Sequence, residues 1–332
     1  MAYALKQAEP SCRVIFLGRT YTQGLINQCV DIDNFLDWED IKKLNISDQI
    51  SFLKKQNIDI FIHIYPQKDI AKLAKQAGIP IRIGTSHRIF HWLYCNKLVS
   101  IKRKNSALHE TQLDLQLLKP LGLKFAYTLA EIIPMRRFKE QFNISPEIKN
   151  KIQNLLNPKK FNLVLHPLTR GRHIEWPLQH YQELIKYLDP EKFNIFITGS
   201  EQEGQEIRPA LIQPFLNSQN SQNSQKNKNI IDLTGKFDLN TLIYFLSQID
   251  GLICSSTGPV HLAAAFNKRT LGLYAPIKPF HAGRWGPVGA KAQVLSLHKD
   301  CSDCRDLSRC RCVGLIEVSQ VLKIVRDWAN YK

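Results

Sequence analysis

Short apolar runs alternate with helix-like segments along most of this chain, and this alternation restricts its fold more than any other feature. The clearest runs, rich in β-branched and aromatic residues, predict strands in the second half at 162–167, 193–199, 230–233, 251–255, 270–274 and 293–297. Strands separated by helices form parallel sheets from βαβ units. We therefore expect an α/β fold with a doubly wound sheet. Asn240 is the expected cap of the helix before the 251–255 strand.

The first half shows a weaker form of the same pattern, with strands predicted at 13–17, 58–64 and 79–83. From about residue 122 to 160 prolines and charged residues interrupt it. We place a domain boundary there, giving Rossmann-like domains at 1–150 and 151–332 with a ligand cleft between them. Whether the last helix, predicted from about 317 to 331, packs back on the first domain is left open.

The chain has 332 residues, of which 44% are hydrophobic, and a formal net charge of +16. This charge favours an anionic partner: nucleic acid, a phosphate-rich small molecule or an acidic membrane surface. The basic residues are scattered in small groups, so a nucleic-acid-binding arm is not indicated. No run approaches the roughly 18 apolar residues of a membrane span, and the N-terminus is unlike a signal peptide. We expect a cytoplasmic protein, with peripheral binding to the inner membrane as an option.

Three loops that follow predicted strands of the second half carry polar, small or basic residues. Ligands bind at the carboxyl ends of strands in open α/β sheets, so each loop is a candidate binding element. The loops contain Thr169, Arg170 and Arg172; Thr198, Gly199, Ser200, Glu201 and Glu203; and Ser255 to Leu262.

The third loop has the composition of a phosphate-binding turn. Gly258 permits either a close backbone approach or a positive φ, and Pro259 suits the first turn of a following helix. Unsatisfied N–H groups at that helix start attract anions, and Thr257 and His261 add side-chain donors. A plain strand-to-helix turn is the alternative, but the longer string Thr-Gly-Pro-x-His-Leu-Ala-Ala-Ala is more specific.

These motifs resemble those of glycosyltransferase family 9, the heptosyltransferases of the lipopolysaccharide inner core. The resemblance covers about residues 160–315, and in the first half Gly84 to Arg88 and His109-Glu110 are similar to acceptor-domain features. The matching segments are His166-Pro167, Trp176-Pro177, Thr198 to Glu201, Leu233-Thr234-Gly235-Lys236, the Thr257-Gly258-Pro259 loop, Leu273-Tyr274-Ala275-Pro276 and Arg284-Trp285-Gly286-Pro287.

The resemblance implies a GT-B fold and inverting, metal-independent transfer of a heptose or related sugar from a nucleotide-diphosphate sugar such as ADP-heptose. It implies a lipid A-core acceptor at the inner-leaflet surface and no cofactor required for catalysis. The diphosphate would lie on the Thr257-Gly258 loop, Arg170 or Arg172 would balance its charge, and Glu201 or Glu203 would hold the ribose. The implied donor residues are Thr169, Arg170, Arg172, Thr198, Gly199, Ser200, Glu201, Glu203, Lys236, Ser256, Thr257, Gly258, Pro259, His261 and Leu262; the implied acceptor-side residues are Arg88 and His109.

Some positions depart from the family pattern. Ile174 stands where a lysine is common, and Ser256 where an aspartate is common. The family opens with a strand and a Gly-Asp segment whose aspartate is the expected base, and the start of this sequence has no equivalent. We therefore assign no catalytic residue and expect that an N-terminal segment is missing. A catalytically impaired homologue that keeps the nucleotide site is the alternative.

Four cysteines are clustered at Cys301, Cys304, Cys310 and Cys312. A Cys-x2-Cys half-site is typical of zinc binding, although the Cys-x-Cys half is tighter than usual. Three states of these cysteines are therefore considered: ligands of a structural zinc, free thiols, and disulfides. A zinc-containing nucleic-acid-binding protein is a third hypothesis for function, but no aromatic-basic stacking pattern accompanies the cysteines, so no nucleic-acid partner is expected.

Overall fold

The computed structural model describes residues 1–103, 106–169, 174–216, 229–278, 280–297 and 311–330. The chain forms two compact units, Met1–Glu140 and Gln141–Lys332. The boundary expected near residue 150 falls within a helix of the second unit, Pro146–Leu155. No helix in the described ranges is both long and apolar enough to span a membrane.

The first unit contains short parallel strands with helices between them. Its strands are β1 (Ile15–Gly18), β2 (Asn34–Asp37), β3 (Ile60–Ile62), β4 (Ile81–Thr85) and β5 (Lys97–Val99). Its helices are α1 (Ala2–Ala8), α2 (Gln23–Gln28), α3 (Trp38–Ile41), α4 (Ile46–Lys55), α5 (Lys68–Gln76), α6 (Ile89–Tyr94), α7 (Glu110–Leu115) and α8 (Leu129–Ile132).

The strands of the first unit form two separate parallel sheets, β1–β2 and β3–β4–β5. Leu17 of β1 and Phe61 of β3 nevertheless pack against one apolar cluster built around Leu53, Leu73 and Ile79. The two sheets therefore share a core without sharing backbone hydrogen bonds.

The second unit contains longer and more deeply buried strands. They are β6 (Phe161–His166), β7 (Phe193–Ile197), β8 (Ile230–Asp232), β9 (Gly251–Ser255), β10 (Arg269–Tyr274) and β11 (Ala292–Ser296). The helices are α9 (Pro146–Leu155), α10 (Leu178–Tyr187), α11 (Glu201–Ile207), α12 (Gln213–Leu216), α13 (Leu239–Gln248), α14 (Gly258–Ala265), α15 (Ala282–Trp285) and α16 (Val318–Ala329). A π-helical turn at Arg208–Ile212 joins α11 to α12.

The second unit has one six-stranded parallel sheet in the order β11-β10-β9-β6-β7-β8. Chain order reverses between β6 and β9, so these neighbours define a topological switch point, where doubly wound folds bind ligands. The expected α/β fold with a doubly wound sheet is confirmed.

Two apolar clusters cover the two faces of this sheet, because successive side chains of a strand point to opposite faces. Leu163 and Leu165 of β6 belong to one cluster, and Val164 to the other. The first cluster includes Trp328 of α16. Helix α16 packs against α10 within the second unit. Packing on both faces explains why every residue of β6 and β9 is buried.

Candidate functional site

Four loops at the carboxyl edge of the six-stranded sheet are tied together by hydrogen bonds. The backbone N–H of Trp176, in the loop after β6, donates to Ser255 Oγ at the end of β9 (3.1 Å). The Gly235 N–H, after β8, donates to the Gly199 carbonyl after β7 (2.9 Å). A contact between His166 Nδ1 and Thr198 Oγ1 (2.9 Å) links the ends of β6 and β7. The three loops predicted from the sequence, and the loop after β8, therefore lie together at the switch point.

The start of α14 is the most open part of this site. Thr257 is its N-cap residue in an extended conformation, and its side chain makes no capping hydrogen bond. Among the residues that the structure describes, no heavy atom lies within 4 Å of a Cβ added to Gly258. Of the two roles considered for Gly258, the structure supports close approach, since positive φ is absent at this glycine. Pro259 lies in the first turn, as expected.

The side chains around this loop hold it in place. Ser255 is fully buried, as is Trp176, whose indole N–H donates to the Ile316 carbonyl (2.9 Å). The Tyr274 hydroxyl donates to the Trp285 carbonyl (2.7 Å), which fixes the neighbouring loop after β10. Ser256 and Thr257 are half-buried, and His261 and Leu262 are half-buried on the following helix. The opening at Gly258 is therefore surrounded by a constrained frame.

Charged groups line the loops after β7 and β8. Arg208 donates to both carboxylate oxygens of Glu201 (2.7 and 2.9 Å) and to Asp232 (3.0 Å). The hydrogen bonds from Arg208 hold the pKa of Glu201 below its usual value, and Lys236 adds to this effect. Burial would raise the pKa of Asp232, but hydrogen bonds from Thr234 and Arg208 outweigh it and lower that pKa. Glu201 and Asp232 are thus carboxylates at neutral pH.

Ser200 and Glu203 are used to start α11. The Ser200 side chain accepts from the Glu203 N–H (3.2 Å), and Glu203 Oε2 accepts from the Ser200 N–H (2.6 Å). This capping box satisfies N–H groups at the helix start. The structure therefore gives Glu203 a positioning role, whereas Glu201 projects into solvent beside it.

The loop after β6 is described only up to Thr169 and again from Ile174. Thr169 Oγ1 donates to Glu175 Oε1 (2.6 Å), and His166 contacts Thr198 Oγ1 through its Nδ1 (2.9 Å). Glu175 was not predicted as a site residue. Arg170 and Arg172, the predicted partners of a bound charge, lie outside the described residues.

The loop after β10 carries basic residues that were not among the predicted donor-binding residues. Lys278, His281 and Arg284 follow β10, the neighbour of β9 in the sheet. Burial lowers the pKa of His281, and the positive charges of Lys278 and Arg284 lower it further, so these groups lie near one another. Their position after a strand adjacent to the switch point was the signal that could have identified them.

Arg88 and His109, the predicted acceptor-side residues, lie in the first unit. Arg88 is exposed at the N-cap of α6. His109 is buried and caps α7, where its ring accepts from the Thr111 N–H (3.2 Å). The structure thus uses His109 to begin a helix.

The cysteine cluster lies mostly outside the described residues, which include Cys312 but not Cys301, Cys304 or Cys310. Cys312 is buried just before α16. In the part of the chain that the structure describes, no three His, Cys, Asp or Glu side chains are arranged to hold a metal ion. The zinc hypothesis stays a prediction.

Comparison with known proteins gives consistent matches over most of the chain. The model of glycosyltransferase family 9 (heptosyltransferase) matches residues 50–312. A Haemophilus influenzae protein named as a glycosyltransferase is 25% identical over 287 residues, which cover 86% of this chain and 80% of that protein.

Solved structures share the fold. Escherichia coli ADP-heptose lipopolysaccharide heptosyltransferase II has a TM-score of 0.70 at 19% identity, covering 99% of this chain and 93% of that one. An E. coli heptosyltransferase solved with ADP has a TM-score of 0.64 at 15% identity, covering 98% and 94%. These likenesses confirm the expected GT-B class of fold.

Proposed function

The chain belongs to glycosyltransferase family 9, and from that membership we propose that it transfers a heptose or related sugar from a nucleotide-diphosphate sugar to the lipopolysaccharide inner core. The names of similar proteins support this choice, because E. coli heptosyltransferase II carries ADP-heptose in its name and another E. coli heptosyltransferase was solved with ADP. ADP-heptose is therefore the first donor to test.

One observation carries the proposal: the open start of α14 lies at the switch point of the sheet. The Thr257 side chain makes no capping hydrogen bond, and no described heavy atom lies within 4 Å of a Cβ added to Gly258. Helix N-termini favour anions through their N–H groups and the helix dipole. We place the donor diphosphate here, with Ser256, Pro259, His261 and Leu262 shaping the loop.

Positive groups around this loop would stabilise the leaving nucleotide. In an inverting transfer the acceptor oxygen bonds to the anomeric carbon as the bond to the diphosphate breaks, so negative charge grows on the diphosphate. Preorganised cations and N–H dipoles can stabilise that charge without a metal. We assign this role to Lys236, Lys278 and Arg284, together with Arg170 and Arg172. Glu201 is the proposed ribose ligand, held by Arg208, while Ser200 and Glu203 position its helix.

The acceptor hydroxyl must lose a proton as the new bond forms, and a side chain usually accepts it. No residue is assigned to that role. The proposed acceptor is lipid-borne, and Arg88 is the proposed acceptor-side residue. The protein would work in the cytoplasm at the inner membrane.

Turnover with a lipid A-core acceptor tests this function. ADP-heptose should give ADP and an acceptor heavier by one heptose, and Lys236→Gln should lower kcat/KM by about tenfold or more because a charge on the diphosphate is lost. Lys186→Gln, at an exposed lysine on α10, is the matched control. Binding of ADP without transfer, using a protein that includes any upstream coding sequence, would reject the transferase.

A catalytically impaired homologue is the second candidate. It would keep the nucleotide site at the start of α14 and would not transfer the sugar. Turnover with a lipid A-core acceptor separates the two candidates: transfer supports the enzyme, and ADP binding without transfer supports the impaired homologue.

A further inference from the structure

Helix α6 exposes apolar side chains and buries a histidine, which is the reverse of an ordinary surface helix. It buries His91 completely while Ile89, Trp92 and Leu93 are 86%, 65% and 59% exposed. These three residues have the i, i+3, i+4 spacing of one helical face, here called the α6 face. A helix in water usually turns its apolar stripe toward the core. Contiguous exposed apolar residues of this kind mark interaction surfaces.

A pair of histidines holds α6 in this orientation. His91 Nδ1 lies 2.9 Å from the Thr85 carbonyl, so that nitrogen is the donor, and His91 Nε2 lies 2.9 Å from His63 Nδ1. His63 Nε2 accepts from the Gln67 N–H at the start of α5 (3.1 Å). Every ring nitrogen of the pair is thus satisfied. Rotating α6 to bury its apolar face would break these bonds in a buried environment, at a high cost.

The exposed aromatic residues have the properties of membrane-interface anchors. The Trp92 indole N–H donates to the Ser86 carbonyl (2.9 Å), which leaves the ring exposed with its polar group satisfied. Tyr65 is 77% exposed on the loop after β3, the strand beside β4. Trp and Tyr are enriched where one end of a side chain is in lipid and the other in a polar environment.

The segment of sequence that contains the α6 face is basic. Residues 60–109 contain nine Lys or Arg and a single acidic residue, Asp69. Lys68, Lys72 and Lys75 form an exposed stripe on α5, which packs beside α6, and the Lys75 ammonium donates to the Leu93 carbonyl (2.9 Å). Arg88 is exposed at the start of α6.

We infer that the α6 face docks on an anionic phospholipid bilayer, with Ile89, Trp92 and Leu93 entering the headgroup region and the α5 lysines binding lipid phosphates. Apolar burial combined with basic side chains is the usual basis of interfacial binding. A second copy of this chain is disfavoured as occupant, because contact through this face would bring two basic surfaces together. This inference rests on the proposed function, whose acceptor is lipid-borne. The α6 face would be the surface of the protein that meets the membrane carrying that acceptor.

Vesicle co-sedimentation without nucleotide tests the inference. The whole chain should bind vesicles of phosphatidylethanolamine with phosphatidylglycerol and should bind phosphatidylcholine vesicles at least about tenfold more weakly. The double variant Trp92→Ser/Leu93→Ser should weaken binding by about tenfold or more, since it removes most of the apolar face. Lys72→Gln should weaken vesicle binding by about fivefold, and added salt should reduce the difference between this variant and wild type.

Matched controls change equally exposed residues in the second unit: Tyr187→Ser/Leu315→Ser for the apolar pair, and Lys192→Gln for the lysine. These should bind as the wild type does. Equal binding by wild type and the Trp92/Leu93 variant would overturn the inference, as would no vesicle binding by wild type. Self-association that the Trp92/Leu93 variant abolishes would also overturn it.

ADP titration distinguishes this failure from failure of the proposed function. The Trp92/Leu93 variant should bind ADP like wild type, because its changes lie in the first unit. Intact ADP binding with no vesicle binding would reject only the docking surface.

Discussion

Two glycines of the second unit have opposite structural requirements. Gly235 has a φ of +69°, and its added Cβ would overlap Glu201 Oε2 and lie 3.0 Å from the Glu201 Cα. A Cβ added to Gly258, in contrast, meets no heavy atom of the described residues within 4 Å. A glycine at positive φ is needed for the backbone itself. Neither positive φ nor a close neighbour requires a glycine at position 258, so we expect the fold to tolerate a side chain there.

The stability of two variants tests this contrast. We expect Gly235→Ala to lower the free energy of unfolding by about 1–2 kcal/mol, because alanine is strained at positive φ and meets Glu201. Gly258→Ala should change it by less than about 0.5 kcal/mol, as is usual where no contact is disturbed. Urea unfolding followed by circular dichroism measures both. Equal destabilisation by the two substitutions would show that Gly258 is required by the fold.

His63 gives the first unit a pH dependence. Burial lowers its pKa from 6.5 to about 4, and His91 contributes to the lowering. A histidine whose folded pKa lies below its unfolded pKa stabilises the protein above pH 6.5, and this contribution is lost as pH falls from 6.5 toward 4. Its full size is on the order of 3 kcal/mol.

A comparison with His63→Gln isolates this contribution. Glutamine does not titrate, so the variant should lose less stability than wild type between pH 6.5 and pH 4. The comparison is needed because burial raises the pKa of Asp114 to about 6, and protonation of that carboxyl acts in the opposite direction. Thermal unfolding at several pH values gives the result. Parallel pH profiles for the two proteins would contradict the assignment.

At the residue scale, the sequence predicted the loop at the start of α14 better than it predicted the residues of the neighbouring loops. The residues Thr257, Gly258 and Pro259 were placed correctly at a helix start because glycine and proline have strong local preferences. Glu175, Lys278 and His281 were not predicted as site residues. Each of them follows a strand that neighbours β9, and this position depends on the order of strands in the sheet, which local preferences do not contain.

At the element scale, the buried strands were predicted most accurately. β9 has the predicted bounds, since a continuous apolar run is typical of a strand buried on both faces. The cap of α13 was wrong: Asp238, not Asn240, accepts the capping hydrogen bond, from the Thr241 N–H (2.7 Å). Both residues are good caps, so the choice depends on where the preceding loop ends. The short strands β2 and β5 were missed because each has only two consecutive apolar residues.

Trp176 connects elements that are distant in sequence. Its backbone N–H bonds to Ser255 at the end of β9, and its indole bonds to Ile316 just before α16. We expect Trp176→Phe to lower the free energy of unfolding by about 2–4 kcal/mol, because it leaves a buried carbonyl unpaired and a small cavity.

The matched control is Trp92→Phe, the same substitution at a ring that is 65% exposed. It should cost less than about 1 kcal/mol, because water can replace the lost hydrogen bond and no cavity forms. Chemical denaturation provides both values. A similar cost at the two positions would contradict the connecting role of Trp176.

At the scale of the whole molecule, the sequence predicted two α/β units but not how their strands are arranged. The six-stranded order of the second unit, with its reversal between β6 and β9, follows from long-range pairing. That reversal brings the loops after β6, β7, β8 and β9 together. The pattern of apolar runs therefore indicated the class of fold, while the assembly of the site required the structure.

Binding of ADP tests the central claim, that the open start of α14 holds a nucleotide diphosphate. Calorimetric titration of wild type, Gly258→Val and the control Tyr187→Ser makes the comparison. We predict that wild type and Tyr187→Ser bind ADP alike and that Gly258→Val binds at least about tenfold more weakly, because the valine side chain occupies the space the diphosphate needs. Its unfolding should be unchanged, since a Cβ at this position meets no heavy atom of the described residues within 4 Å. Equal binding by wild type and Gly258→Val, or no binding by wild type, would contradict the claim.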